Sequence, residues 1–259
     1  MSGTVSNAGR TAAALLFALL AAAPLPAAPP RLTVSAAANL EAACERIGAE
    51  FEAASGIRVL FNFGATGKLA AQIEQGAPVD LLIAADTAAP QRLESLGLTS
   101  PGSLRIYARG RLALWSRVDT GVRVDSLEDL TRPEVRRIAI ADPRLAPYGL
   151  AARQALDAEG LWEKLQGKLV PAENVARALQ YAEAGNVEAA LVARSLCVEG
   201  QGRWTLVPAS LHAPLDQALV LIRGAAHPAE ASRFAEFLLG EQGRRALRDF
   251  GYELPNQAP

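Results

Sequence analysis

The run Val79-Asp-Leu-Leu-Ile-Ala-Ala85 constrains this chain most. It holds a single charged residue and shows no alternation of polar and apolar positions. Such a segment needs cover on both faces, the condition of a strand inside a parallel sheet flanked by helices. The preceding residues fit that demand. Leu32-Thr-Val-Ser-Ala36 reads as a strand. A helix is predicted from Asn39, with Leu40, Cys44, Ile47, Phe51 and Ala54 spaced 4, 3, 4 and 3 along one face. Gly56 closes that helix, and Ile57 to Phe63 alternates as a second strand. A short helix is predicted from Thr66 to Gln75, stopped by Gly76. Repeated strand and helix in this order predict an α/β fold with a parallel sheet.

Further along, Leu104 to Trp115 reads as one or two strands interrupted at Gly110. Ile138 to Asp142 is another strand, followed by a turn and a helix running to about Ala158. Asn174 is placed to cap a helix that ends at Gly185. Glu188 to Ala193, Trp204 to Val207 and Leu215 to Arg223 read as strands, and two helices between about Pro228 and Phe250 finish the chain. Two α/β lobes and one continuous sheet both fit this pattern.

The first residues address the chain to a compartment. Arg10 precedes the apolar stretch Thr11 to Ala23, and a small-residue, Pro-rich segment runs on to Pro30. This is the layout of a secretory signal, read here as residues 1–28. The apolar run falls short of the ~20 residues that span a bilayer.

A net charge of −1 leaves no electrostatic footprint for nucleic acid or an acidic membrane. Cys44 and Cys197, the only cysteines, are expected as buried free thiols, and no spacing suggests a metal site. Motifs for nucleophilic or metal-assisted catalysis are missing. Gly64-Ala-Thr-Gly-Lys-Leu69 has too few residues between its glycines for a phosphate loop, and Lys68 is followed by no hydroxyl residue.

What remains is a set of polar residues where strands turn into helices. Asn39 follows three alanines, Thr66 sits between Gly64 and Gly67, Tyr148 lies between Pro147 and Gly149, and Asn174-Val175 opens a further helix. Taken singly, an Asn or Thr there is an ordinary cap and a Tyr in such a turn is a packing residue. Taken together, four helix starts converging on a cleft would trap an anion with unpaired N–H groups and no cation. Asp80, Asp86 and Asp142, near strand ends, are the positions an enzyme on such a fold would use, though each also suits a capping or hinge role and none has an evident His partner.

Six stretches carry a family resemblance: Val34 to Leu40, Phe63 to Leu69, Gln72 to Asp80, Ala84 to Asp86, Asp142 to Gly149 and Pro171 to Val175. In this order and spacing the chain resembles the periplasmic molybdate-binding proteins of ABC importers. The resemblance implies a two-lobed periplasmic-binding-protein (type II) fold with a hinge and an interlobe ligand cleft. Lobe I would comprise residues 31–112 plus 217–259, and lobe II residues 113–216.

It further implies that molybdate or tungstate is held by Ala38, Asn39, Thr66, Tyr148 and Val175, through hydroxyl, amide and backbone N–H groups, with no cofactor and no separate metal. Thr66 falls where many members have serine. Many also have serine at Asn39, and some have a tyrosine ligand at the position matching Ala193. The implied protein is a monomer that hands its solute to a membrane permease. Another oxyanion such as sulfate is the alternative solute, and a periplasmic enzyme on the same fold the alternative class.

Overall fold

The computed structural model describes residues 31–119, 122–197 and 202–255, so the signal segment read at 1–28 lies outside the described residues. In chain order the elements are β1 (Arg31–Ala37), a 3-10 turn at Ala38–Leu40, α1 (Glu41–Ser55), β2 (Arg58–Gly64), α2 (Thr66–Glu74), β3 (Leu81–Ile83), α3 (Ala88–Ser95), β4 (Arg105–Gly110) and β5 (Leu112–Arg117). There follow β6 (Ile138–Ala141), α4 (Pro147–Ala158), α5 (Trp162–Leu165), β7 (Leu169–Ala172), α6 (Val175–Glu183), β8 (Ala189–Ala193), β9 (Gly202–Leu206), β10 (Leu215–Leu221), α7 (Pro228–Leu239) and α8 (Glu241–Asp249).

The strands form two sheets of five, ordered β2-β1-β3-β10-β4 and β7-β6-β8-β5-β9. Each sheet has the same plan. Three parallel strands lie side by side, with β1 between β2 and β3 in one and β6 between β7 and β8 in the other. A strand from across the chain crossing then pairs antiparallel with the third, β10 on β3 and β5 on β8. The chain passes from the first sheet to the second between Gly110 and Leu112 and returns after β9. This is the two-lobed α/β arrangement, and the single continuous sheet that the strand pattern also allowed is not formed.

The apolar run Val79 to Ala85 is buried throughout β3, where Leu81, Leu82 and Ile83 are each fully shielded. The face of α1 packs as its spacing predicts through Cys44, Ile47 and Phe51, but Ala54 is exposed. Phe51 meets Phe234 and Phe237 of α7 edge-on, with centroids 5.1 and 5.4 Å away. Burying such a ring stabilises the fold by about 1.5–3 kcal/mol. Cys44 and Cys197 are both free and buried.

Three elements escaped the sequence reading. The helix α3 buries only Pro90 and Leu93, too few positions to show a period. The single turn α5 is too short to show one. The strand β7 contains Pro171, which argues against a central strand, and indeed β7 is an edge. The first helix also begins later than expected: Asn39 belongs to the 3-10 turn, and α1 proper starts at Glu41.

Candidate functional site

The parallel strands of both sheets lead into helix starts that face one small cavity, about 10 Å³ in volume. On the first sheet β1 runs into Ala38 and Asn39, and β2 into Thr66 at the head of α2. On the second, β6 leads to Tyr148 at the head of α4, and β7 to Val175 at the head of α6. Each lobe thus contributes two helix beginnings at the carboxyl ends of parallel strands, the place where open α/β sheets take ligands. All five residues singled out in the sequence line this cavity, and Asn39, Thr66, Tyr148 and Val175 are at most 4 % exposed. Ala193 does not line it. It ends β8, buried, with its carbonyl beside Cys197.

The helix heads keep their first N–H groups clear of their own ladders. At Ala37, Ala65 and Ala146 no side chain caps the helix or turn that follows, because alanine has nothing to offer. Asn174 does cap α6, but its Oδ1 takes the amide of Arg177 at 2.9 Å, while the first intrahelical bond runs from the Ala178 amide to the Asn174 carbonyl. The amides of Val175 and Ala176 precede both. Orphan N–H groups at a helix start, with the positive end of the dipole behind them, form an anion site. Small residues keep the approach open. A Cβ on Gly149 would lie 2.3 Å from the Ala141 carbonyl, so glycine is what lets α4 start so close to β6.

The two hydroxyls share one hydrogen-bond logic. The Ala85 amide donates to Thr66 Oγ1 at 3.0 Å, and Gln217 Nε2 donates to Tyr148 Oη at 3.0 Å. Each oxygen already accepts from the protein, so its single hydrogen is left to donate. Burial pushes the ionisation of Tyr148 well above the ordinary phenol range, which keeps that hydrogen in place. Among the described residues lining the cavity there is no Asp, Glu, His, Lys, Arg or Cys.

Asn39 departs from the role its type suggests. Its Nδ2 donates to Gln217 Oε1 at 3.1 Å and to Tyr252 Oη at 2.8 Å, both from protein to protein, while Oδ1 has no protein partner. Its carbonyl accepts from Ser195 Oγ and Tyr252 Oη. The side chain therefore ties the 3-10 turn to its surroundings. Gln217, Tyr107 and Tyr252, which complete this network, were not legible as site residues. Each is a lone polar or aromatic residue far from the helix heads in sequence.

The three candidate acids of the enzyme alternative are engaged elsewhere. Asp80 accepts the amides of Thr33 and His227, and, against the expectation that no candidate acid has a His partner, the His227 ring Nδ1 lies 3.4 Å from its Oδ2, though neither residue lines the cavity. Asp86 accepts the Ala89 amide at the head of α3, and burial raises its carboxyl above the usual range. Asp142 is paired with Arg144, which lowers its carboxyl. No group of three or more metal-ligating side chains occurs among the described residues. Nor, among them, is any helix long and apolar enough to cross a membrane.

Two contacts close the cavity's rim from opposite sheets. The Gly67 amide donates to the Leu145 carbonyl, and Lys68 pairs with Glu173.

The family model for bacterial extracellular solute-binding protein matches residues 32–253. The molybdate-binding protein ModA of Rhodobacter capsulatus is 36 % identical over 95 % of this chain and 96 % of its own length. That of Azotobacter vinelandii is 37 % identical over 85 % of this chain and 89 % of its own. The solved structure of the Azotobacter vinelandii periplasmic molybdate-binding protein superimposes with a TM-score of 0.83 at 31 % identity, covering 87 % of this chain and all of that one.

Proposed function

Since the chain belongs to the bacterial extracellular solute-binding proteins, we propose that it captures a tetrahedral oxyanion, molybdate or tungstate, for an ABC importer. The observation that carries this reading is the pair of hydroxyls, Thr66 and Tyr148, each already accepting a protein N–H and so left to donate. Together with the amides of Ala38, Asn39 and Val175 they make a pocket of neutral donors. Relatives of high coverage named as molybdate-binding proteins support the choice of solute.

Neutral donors discriminate. Molybdate keeps every oxygen as an acceptor, whereas hydrogen phosphate carries a proton that such a pocket leaves unpaired, at a cost of ~1–3 kcal/mol. Sulfate has no proton either and must be refused by size, because its shorter bonds leave several donors out of reach. Five charge-assisted bonds at ~1.5–3 kcal/mol each amount to roughly 7–15 kcal/mol gross, which outweighs the cost of binding and lobe closure where that cost lies toward the lower end of about 4–15 kcal/mol.

In this reading lobe I is residues 31–112 with 217–259 and lobe II is residues 113–216. The ligand bridges them and stabilises the closed form, which a membrane permease recognises. The protein acts in the periplasm as a monomer, by binding alone and without a cofactor. Calorimetric titration with molybdate, tungstate, sulfate and phosphate tests it. Tight one-to-one binding of the first two is expected. If none of the four binds after bound ligand has been stripped by partial unfolding, the reading fails.

A further inference from the structure

Gln217 sits within β10, fully buried, and is followed by the apolar run Ala218 to Leu221. An amide in such a place needs partners on both ends. It has them, and they lead to the cavity. Nε2 donates to Tyr148 Oη, while Oε1 accepts from Asn39 Nδ2 at 3.1 Å and lies 2.8 Å from the Tyr107 hydroxyl, which is also 2.8 Å from the Ala84 carbonyl. Two backbone features serve this contact. Where Gln217 gives way to Ala218, β4 carries one residue more than β10: Gln217 pairs with Ala108 and Ala218 with Ile106, so Tyr107 is the bulged residue, an irregularity of the kind that re-aims a side chain. At the crossing between the sheets, a Cβ on Gly110 would lie 2.0 Å from Tyr148 Oη and 2.4 Å from Gln217 Nε2. Only glycine there lets the two meet.

A phenol has one hydrogen. We propose that Gln217 is a positioning residue of the oxyanion site, whose amide, by donating to Tyr148 Oη, directs the tyrosine's own hydrogen into the cavity. The inference rests on the reading of Tyr148 as an oxyanion donor. Asn39 Nδ2, held by Tyr252, keeps Oε1 on the far side and Nε2 toward Tyr148. The competing arrangement turns both amides over. Tyr148 would then give its hydrogen to Gln217 Oε1 and present a lone pair to the anion, and Asn39 Nδ2 would take the position of the unpartnered Oδ1.

The test is a double-mutant cycle on molybdate affinity, with Gln217→Met, a volume-conserving change without a donor, and Tyr148→Phe. Each single variant is expected to weaken binding by about tenfold. The double variant is expected to bind within about twofold of Tyr148→Phe, since Gln217 acts through the hydroxyl that phenylalanine lacks. Additive losses would reduce Gln217 to a structural role. A Tyr148→Phe protein that binds as well as wild type or better would show that Tyr148 gives the anion no hydrogen, as the reversed amides require. Either result overturns the inference while wild-type binding upholds the site. A wild-type protein that binds no molybdate removes the site reading itself. Gly110→Ala provides the same cycle if Gln217→Met fails to fold, because its methyl intrudes on the same contact and Tyr148→Phe removes the oxygen it strikes.

Discussion

The backbone amide of Gly67 donates to the carbonyl oxygen of Leu145 at 2.9 Å, joining the head of α2 on the first sheet to the loop before α4 on the second. A main-chain bond between lobes can form only when both helix heads are drawn over the cavity. It leaves no room for a side chain, since a Cβ on Gly67 would lie 2.9 Å from that same oxygen.

Gly67→Ala should therefore separate folding from closure. Alanine is favoured over glycine inside a helix by roughly 0.5–1 kcal/mol, so thermal stability without ligand should hold or rise. Molybdate affinity should fall by about tenfold, as the methyl pushes Leu145 away and the interlobe bond is lost. Calorimetry and solution scattering check both halves. An unchanged affinity with normal ligand-dependent compaction would show that the bond is incidental to closure.

The neighbouring pair, Lys68 with Glu173, should matter much less. Both side chains are about half exposed, so screening leaves little net attraction. The Lys68 ammonium holds the Glu173 carboxyl below its ordinary value of 4.5. Its contribution is accordingly complete above that value and is lost as pH falls through the lowered one. At neutral pH, Lys68→Ala should weaken binding no more than a few-fold, and the difference from wild type should vanish in high salt. Titrations across a salt series measure this, and a large, salt-insensitive loss would contradict it.

Buried tyrosines set the alkaline limit. Burial raises the ionisation of Tyr107, Tyr148 and Tyr252 above the ordinary value of 10. In the unfolded chain they ionise near that value, so the stability tied to them is complete below about pH 10 and is lost as pH rises beyond it. Ultraviolet titration should show these three phenols ionising together with the loss of near-ultraviolet circular dichroism. A smooth ionisation of all tyrosines that precedes unfolding would mean that the network around Asn39 and Gln217 is open to water.

Much of this arrangement was legible in the sequence, for a physical reason. The helix heads follow strands in one direct βα step, so Thr66, Tyr148 and Val175 announce themselves by position, and Gly64, Gly67 and Gly149 mark the close approaches. The network behind them was not legible. Gln217 stands beside Asp216 and reads as a solvent-facing position, yet it shares the face of Leu215 and Leu219 and is fully buried there. Tyr107 and Tyr252 reach Gln217 and Asn39 from β4 and from the segment after α8, a meeting that depends on the packed fold. Asn39 was found for its type, yet its side chain faces the protein, because the turn at Ala38–Leu40 is 3-10 and does not place it as a helix cap.

Thr66 offers the sharpest separation of donor from shape. Its Oγ1 accepts the Ala85 amide, so Thr66→Val keeps the volume but removes both the donor to the anion and the acceptor for that buried N–H. The fold should lose about 1–3 kcal/mol, and molybdate affinity should drop by at least tenfold. Thr66→Ser keeps both hydrogen bonds and removes only a methyl group. It should bind molybdate within a few-fold of wild type. The decisive contrast is between the two variants. If Val binds as tightly as wild type while Ser weakens binding, the methyl and its packing govern the site, and the hydroxyl is no ligand.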